Sequence, residues 1–156
     1  MTSDVNDFAN SYLGKLRQKI GHDLVHVPGA GILIENSQGR IPFHQRSDTG
    51  IWDTPGGAPE NNENAVQHAI REVYEETGLR VLNPIPFAFA SEPKTSIISY
   101  PNGDICHFHD LLFYATEYEG TLIDNNEETL AVGWFEPTNL PEVKPISVLA
   151  IAALLE

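Results

Sequence analysis

The 156-residue chain contains a single cysteine, few basic residues and no long apolar run. Because Cys106 has no partner within the chain, an intramolecular disulfide bond is excluded and a reducing compartment is expected. No apolar stretch approaches the roughly 20 residues of a transmembrane helix, and residues 1–10 lack the basic segment and apolar run of a signal peptide. We therefore expect a cytoplasmic protein that does not bind a membrane.

The shortage of basic residues also limits the class of partner. Nine Lys and Arg residues stand against 22 Asp and Glu residues, which gives a net charge of −13. A protein that binds DNA or RNA as a polymer needs a basic surface, so we expect no nucleic acid polymer as a partner. A small phosphorylated substrate is still compatible with this charge, because bound metal ions reverse the local field. The sequence leaves a homodimer open.

The composition is that of one globular domain. Hydrophobic residues make up 41% and charged residues 20% of the chain, and no linker rich in proline, glycine or serine divides residues 1–156. The spacing of apolar residues predicts an amphipathic helix over about residues 4–20, closed by Gly21. The residues that carry this spacing are Phe8, Tyr12, Leu16 and Ile20. We interpret residues 1–21 as an N-terminal helical extension.

Alternating and continuous apolar segments predict a series of strands after this extension. Residues 27–35 and 40–46 are expected to form two paired strands, joined by a hairpin turn at residues 36–39. Further strands are predicted over residues 81–91, 95–100, 105–118 and 133–136. Residues 143–155 have helical spacing and predict a closing helix.

A loop followed by a helix lies between the second and third predicted strands. The segment Pro55-Gly56-Gly57 cannot continue a strand or a helix and predicts a tight loop. The apolar stripe of the following helix consists of Ala65, Val66, Ala69, Ile70 and Val73. We expect Asn61 or Asn62 to cap the start of this helix and Gly78 to end it.

The opposite face of this helix is acidic. Glu72, Glu75 and Glu76 stand at positions i, i+3 and i+4, so their carboxylates project from one face within a turn. Such a cluster destabilises a helix unless cations offset the repulsion between the carboxylates. The single positive charge of the neighbouring Arg71 is not enough to offset three negative charges. Carboxylate oxygens suit Mg²⁺ and Mn²⁺, and Mg²⁺ takes part of its coordination shell from substrate phosphates. The spacing therefore indicates a hard divalent cation.

Residues at fixed spacing between positions 57 and 79 match the sequence motif of a known family. The matching residues are Gly57, Glu63, Arg71, Glu72, Val73, Glu75, Glu76, Gly78 and Leu79. This pattern resembles the Nudix box, and nearly all of residues 25–156 is similar to the core of the Nudix hydrolase superfamily. The alternative interpretation is a solvated acidic helix face that matches by chance. The resemblance implies an α/β (α+β) fold with a mixed β-sheet between helices, and the N-terminal helix lies outside the common core.

The resemblance also implies roles for residues of the box. Glu72, Glu75 and Glu76 are the implied metal ligands, and the backbone carbonyl of Gly56 is a further ligand. Glu72 and Glu76 are the best supported of these. The implied cofactor is Mg²⁺, for which Mn²⁺ can substitute. Arg71 is expected to pair with a helix acid and to fix its rotamer.

The catalytic base cannot be carried over from the box, because relatives use different glutamates. Glu72 and Glu75 are candidates on the helix. Many relatives recruit one more acid from a loop ahead of the last strand, and here Glu127 or Glu128 occupies that place. An exposed acidic turn is the alternative interpretation of these two residues.

Substrate contacts are predicted for two residues outside the box. Arg46 ends a predicted strand and can clamp a phosphate, with a surface ion pair as the alternative. His109 shares a strand face with His107, while Asp110 points the other way. The two histidines can contact substrate, form a satisfied polar group in the core, or bind a transition metal. Three aromatic residues can stack a nucleobase or pack in the core: Trp52, Trp134 and Phe135.

The function implied by the resemblance is metal-dependent hydrolysis of a phosphoanhydride bond. The expected substrate is a nucleoside diphosphate linked to another moiety, such as a nucleotide sugar of the ADP-ribose kind, a dinucleotide or a nucleoside triphosphate. Two alternatives come from other functional classes: a non-catalytic nucleotide sensor and an isomerase of a prenyl diphosphate. The intact acids of the box favour catalysis over the sensor, and no further residues that an isomerase requires can be placed in the sequence.

Overall fold

The computed structural model describes residues 5–124 and 129–156. Its helices are α1 (Val5–Asn10), α2 (Tyr12–Ile20), α3 (Ala65–Thr77), α4 (Pro93–Ser96) and α5 (Pro145–Leu155). Its strands are β1 (Val25–Ile34), β2 (Ile41–Arg46), β3 (Trp52–Asp53), β4 (Gly56–Gly57), β5 (Arg80–Leu82), β6 (Ile85–Ala90), β7 (Ile97–Ser99), β8 (Ile105–Ala115), β9 (Glu117–Glu119) and β10 (Thr129–Phe135). No helix in these ranges is long and apolar enough to cross a membrane.

The largest sheet is mixed and is centred on two parallel strands. β1 and β8 pair in parallel from Val25 opposite Cys106 to Ile34 opposite Ala115. β4 pairs antiparallel with the other edge of β1, and β6 and β7 pair antiparallel with β8. A smaller sheet has the order β10-β2-β3, and β5 pairs with β9. The predicted mixed sheet is therefore confirmed.

Both faces of the β1–β8 pair are covered, because their side chains alternate between two cores. On one face, Ile32 and Phe113 pack with Val73 of α3. On the other face, Leu33 packs with β2 and with Ile151 of α5. The large sheet thus lies between α3 on one side and α5 with the smaller sheet on the other. This arrangement confirms the predicted fold of a sheet between helices.

The predicted hairpin between residues 27–35 and 40–46 is wrong in its pairing. The turn itself forms, since the Asn36 N–H donates to the Arg40 carbonyl at 3.0 Å. However, β1 pairs with β8 and β4, whereas β2 pairs with β10 and β3 in the smaller sheet. The reason is that both edges of β1 are already occupied. The chain therefore crosses from one sheet to the other at this turn.

Several predicted elements are divided by local backbone features. The predicted N-terminal helix is two helices, because the Ser11 hydroxyl accepts a hydrogen bond from the Gly14 N–H and caps α2. The predicted strand 81–91 is divided into β5 and β6, and Asn83 between them has φ of +50°. The predicted strand 95–100 begins as the helix α4, which has Pro93 in its first turn.

The helix α3 begins at a different asparagine from the two that were expected. Asn64 is the N-cap, and its side chain accepts a hydrogen bond from the Gln67 N–H at 2.8 Å. The Gln67 side chain accepts in return from the Asn64 N–H at 3.0 Å, which completes a capping box. Gly78 ends the helix in the left-handed region with φ of +80°, as predicted. The register of the acids on α3 is therefore fixed at both ends.

We expect Asn64→Ala to lower the free energy of unfolding by about 1 kcal/mol, because the side-chain half of the capping box is lost. Chemical denaturation monitored by circular dichroism measures this change. Asn61→Ala is the matched control, since Asn61 is exposed and its loss should change stability by less than about 0.5 kcal/mol. Equal effects of the two substitutions would contradict the role assigned to Asn64.

Candidate active site

The helix α3 brings two carboxylates against the glycines of β4. The Glu76 Oε2 atom accepts a hydrogen bond from the Gly56 N–H at 3.2 Å. The Glu72 carboxylate lies over Gly57 so closely that a Cβ atom at Gly57 would be 2.8 Å from its Cδ and 2.9 Å and 3.0 Å from its two oxygens. Glycine at position 57 therefore leaves the space that the Glu72 carboxylate occupies.

Arg71 ties this acidic helix to the loop before it. Its guanidinium donates to Glu72 Oε1 at 3.0 Å and to Glu75 Oε2 at 3.1 Å. It also binds both oxygens of Glu63 and donates to the Ala58 carbonyl at 3.1 Å. The hydrogen bonds from Arg71 hold the pKa of Glu63 below its usual range. Arg71 thus makes the predicted pair with a helix acid and also fixes the loop on α3.

The three acids of α3 differ in their surroundings. The side chains of Glu72 and Glu76 are 15% and 10% exposed, whereas that of Glu75 is 56% exposed. Burial and the neighbouring Glu76 raise the pKa of Glu72, against an opposing effect of Arg71. Two buried carboxylates beside each other form a set of hard oxygen donors. This donor set fits a divalent cation such as Mg²⁺ or Mn²⁺.

His44 of β2 is a site residue that the sequence analysis did not identify. Its Nε2 atom lies 3.0 Å from Glu76 Oε2, and the side chains are only 4% and 10% exposed. Although burial lowers the pKa of His44, the carboxylate of Glu76 raises it on balance. His44 therefore holds Glu76 in place by a buried ion pair. The sequence contains one signal for it, because His44 directly follows the three apolar residues that begin β2.

A cleft of about 90 Å³ lies on the far side of the Gly56–Gly57 strand. Its walls come from β1, β8, α4 and α5, and its charged lining residues are Arg46, Asp53, Asp110 and Lys144. Lys144 Nζ donates to Asp53 Oδ2 at 2.7 Å, and the Ser147 hydroxyl donates to Asp53 Oδ1 at 3.2 Å. The cleft is thus bounded by the same glycines that receive the acids of α3.

Asp110 is a second cleft residue whose role was not predicted. Burial and the charge of Asp53 raise its pKa to about 6, against the opposing effect of Lys144. Its Oδ1 atom occupies the place where a Cβ atom of Gly29 would lie, at 1.8 Å. Within residues 5–124 and 129–156 its side chain makes no hydrogen bond. Asp110 is therefore a half-buried carboxyl group with unused hydrogen-bonding capacity beside the cleft.

Of the two residues predicted to contact substrate, Arg46 lines the cleft and His109 does not. Arg46 lines the cleft, where it donates to Asp48 at 2.9 Å and 2.7 Å and lies 5.6 Å from the ring centre of Tyr100. His109 alternates with the cleft residues Phe108 and Asp110 along β8, so it projects from the other face of the sheet. The substrate-binding role of both residues stays a prediction.

The remaining candidates are aromatic residues and the acidic loop. Trp52 and Phe135 pack edge to face at 5.0 Å between ring centres and border the second core. Trp134 packs against Tyr118 at 5.5 Å and borders the first core. All three therefore contribute to packing. Glu127 and Glu128 lie outside the described residues.

Comparison with known proteins decides the family. A model of the NUDIX domain matches residues 25–153. The chain belongs to the NUDIX domain family. The predicted superfamily, fold and enzyme class, a pyrophosphohydrolase that acts on nucleotide derivatives, are thereby confirmed. Members of this family generally use divalent metal ions. The prediction of a divalent metal cofactor is therefore confirmed at the level of the family.

Individual Nudix relatives cover most of the chain. The chain is 28% identical over 117 residues to a Bacillus subtilis (strain 168) protein provisionally named an 8-oxo-dGTP diphosphatase, which covers 75% of this chain and 71% of that protein. It is 27% identical over 131 residues to a MutT-like protein of Streptomyces ambofaciens, with 84% and 77% covered. The solved MutT Nudix hydrolase from Burkholderia pseudomallei is similar in fold, with a TM-score of 0.69, 23% identity, and 83% and 98% covered.

We expect a divalent metal ion to stabilise the folded protein, because only the folded chain holds Glu72 and Glu76 together. A free ion concentration 100-fold above the dissociation constant contributes about 2.7 kcal/mol. For a domain of this size, the midpoint of thermal unfolding should rise by about 5–10 °C. Melting curves recorded in MgCl₂ and in EDTA measure the shift.

Two controls separate a specific site from charge screening. NaCl at matched ionic strength should shift the midpoint much less than MgCl₂. Gly57→Ala should lose most of the MgCl₂ shift, because the added methyl group displaces the Glu72 carboxylate. If MgCl₂ and matched NaCl give equal shifts in the wild-type protein, the site does not bind metal in the free protein.

Proposed function

We propose that this Nudix protein hydrolyses a phosphoanhydride bond in a nucleoside diphosphate linked to another moiety, with Mg²⁺ as cofactor and Mn²⁺ as a substitute. Glu72, Glu76 and the carbonyl of Gly56 would hold the ion, with Glu75 as a further ligand. The observation that carries this proposal is the contact of the Glu72 and Glu76 carboxylates with Gly56 and Gly57, which also line the cleft. A diphosphate at the mouth of the cleft would therefore lie within reach of the metal ligands.

The residues around the acids act by position and charge. When bound, the metal ion offsets charge on the diphosphate and lowers the pKa of the attacking water. Arg71 holds Glu72 and the glycine loop in register, and His44 holds Glu76. One glutamate accepts the proton of the attacking water, and the candidates are Glu72, Glu75, and Glu127 or Glu128 of the loop. The described residues carry nothing that favours a sensor or an isomerase.

The lining of the cleft supports a nucleotide as the substrate. Its volume of about 90 Å³ is smaller than the ~300 Å³ or more of a typical ligand pocket, so only part of the substrate enters it. Arg46 supplies a cationic group for phosphate, and Asp110 supplies a carboxyl group for the N–H groups of a base. The aromatic rings of Tyr100 and Phe108 line the same space. The relative named for 8-oxo-dGTP makes nucleoside triphosphates the first substrates to assay.

We expect Glu76→Gln to reduce kcat/KM at limiting Mg²⁺ by at least about 100-fold, because it removes one charged ligand and keeps the size of the side chain. The assay is phosphate or nucleotide release from a panel of nucleoside triphosphates, dinucleotides and nucleotide sugars. Far-UV circular dichroism checks that the fold is retained. Glu119→Gln is the matched control, since Glu119 is exposed on β9.

A near wild-type rate for Glu76→Gln at limiting Mg²⁺ would contradict the assignment of this ligand. The same assay at saturating metal tests whether one of the loop acids, Glu127 or Glu128, supplies the base or a ligand. Replacement of the base by alanine should lower kcat by roughly 100-fold or more. Replacement of an acid that is neither base nor ligand should lower it less than about threefold.

We expect Asp110→Asn to change the order of preference among nucleobases, because the amide replaces one acceptor by donors. KM for the preferred nucleotide should rise about tenfold, which corresponds to about 1.4 kcal/mol of lost hydrogen bonding, while kcat changes little. Steady-state kinetics on the nucleotide panel measure both constants. Asp23→Asn is the control, since Asp23 is exposed. An unchanged order of preference in Asp110→Asn would show that Asp110 does not contact the base.

A further inference from the structure

A cluster of three histidines lies outside the Nudix site. His26 of β1 is the register partner of His107 of β8, and His109 follows two residues later on the same face of β8. One ring nitrogen from each residue lies within 4.8 Å of the other two. Two neighbouring parallel strands thus present three imidazoles to one point.

The ring contacts show how closely the imidazoles are placed. His26 Nδ1 lies 2.9 Å from His109 Nε2. The rings of His107 and His109 stack with their centres 4.4 Å apart, and the centre of the His26 ring is 5.1 Å from that of His107. No acid takes part in these contacts, so within the described residues the cluster is a set of nitrogen donors.

A second contact fixes the tautomer of the most buried member. His107 Nε2 lies 2.8 Å from the Ser91 carbonyl oxygen. A carbonyl oxygen accepts hydrogen bonds only, so Nε2 of His107 must carry the proton. In the neutral ring the lone pair is then on Nδ1. Metal-bound histidines in proteins are commonly oriented in this way, by donation from the other ring nitrogen to a carbonyl.

The distance between two of the ring nitrogens is close to that in a tetrahedral site with nitrogen ligands. Zn–N bonds of 2.0–2.1 Å at tetrahedral angles place two ligand nitrogens about 3.3 Å apart. The observed 2.9 Å between His26 and His109 therefore needs to open by only a few tenths of an ångström.

We propose that His26, His107 and His109 form a second metal site, which takes a divalent transition metal ion such as Zn²⁺. The site is separate from the carboxylates of α3. Gly31 pairs with Gly56 at the Nudix site, and His26 lies five residues earlier on β1, which is about 16 Å along a strand. Three protein ligands leave the fourth position to water or another small ligand. Imidazole nitrogens bind Zn²⁺ in preference to Mg²⁺, which takes oxygen ligands.

A titration with Co²⁺ tests this proposal, because tetrahedral Co²⁺ with nitrogen ligands absorbs visible light and reports its ligand set. The 156-residue chain is used without a histidine tag and in millimolar MgCl₂, which competes for the carboxylate site. We expect one Co²⁺ per chain with a dissociation constant in the micromolar range or below, and its displacement by one equivalent of Zn²⁺. Absence of stoichiometric Co²⁺ binding by the wild-type protein would overturn the proposal whatever the variants do.

Variants then assign the ligands. His26→Gln and His109→Gln should each weaken Co²⁺ binding at least about tenfold and lose the visible absorption. His22→Gln is the matched control, because His22 has a 66% exposed side chain outside the cluster and its loss should leave binding unchanged. Glu76→Gln should also retain Co²⁺ binding, which separates this site from the Nudix site. Equal binding by the wild-type protein and both cluster variants would overturn the proposal.

Discussion

The close approach of two glycines to their neighbours is the constraint on which the Nudix site of this protein depends. A Cβ atom on Gly56 would lie 2.7 Å from the Ala30 carbonyl oxygen, and one on Gly57 would lie 2.8 Å from the carboxylate carbon of Glu72. The backbone of β4 therefore contacts β1 on one side and α3 on the other. Because of this contact, the backbone of β4 lies between the acids of α3 and the cleft.

Charge is the second requirement of this arrangement. The carboxylates of Glu72 and Glu76 are buried beside each other, which costs free energy unless cations compensate. Arg71 compensates from the loop side and His44 from the smaller sheet. Arg71 also pairs with Glu75 and Glu63, so negative charge remains, and this charge accounts for the fit to a divalent ion. The carboxylates that would destabilise α3 in isolation thus form a set of oxygen donors in the folded protein.

Much of the site could be predicted because its residues are close in sequence. The acids of α3 are brought together by helical spacing, and the loop and the C-terminal glycine follow from residue types with special backbone preferences. His44 and Asp110 could not be predicted in this way. His44 reaches Glu76 from another sheet, and Asp110 reaches the cleft through the register of β8 with β1. Local spacing carries no information about either contact.

The sequence by itself determined the family, the position of the helix α3 and the acidic character of one of its faces, because these depend on neighbours within one helix and one loop. Only the tertiary structure decided which strands pair. The residues of β1 are compatible with β2 as a partner, yet parallel pairing with β8 and the contact with β4 occupy both of its edges. That same pairing brings His26 to His107 and His109. Strand pairing depends on burial across the whole domain, and a local sequence pattern contains no information about it.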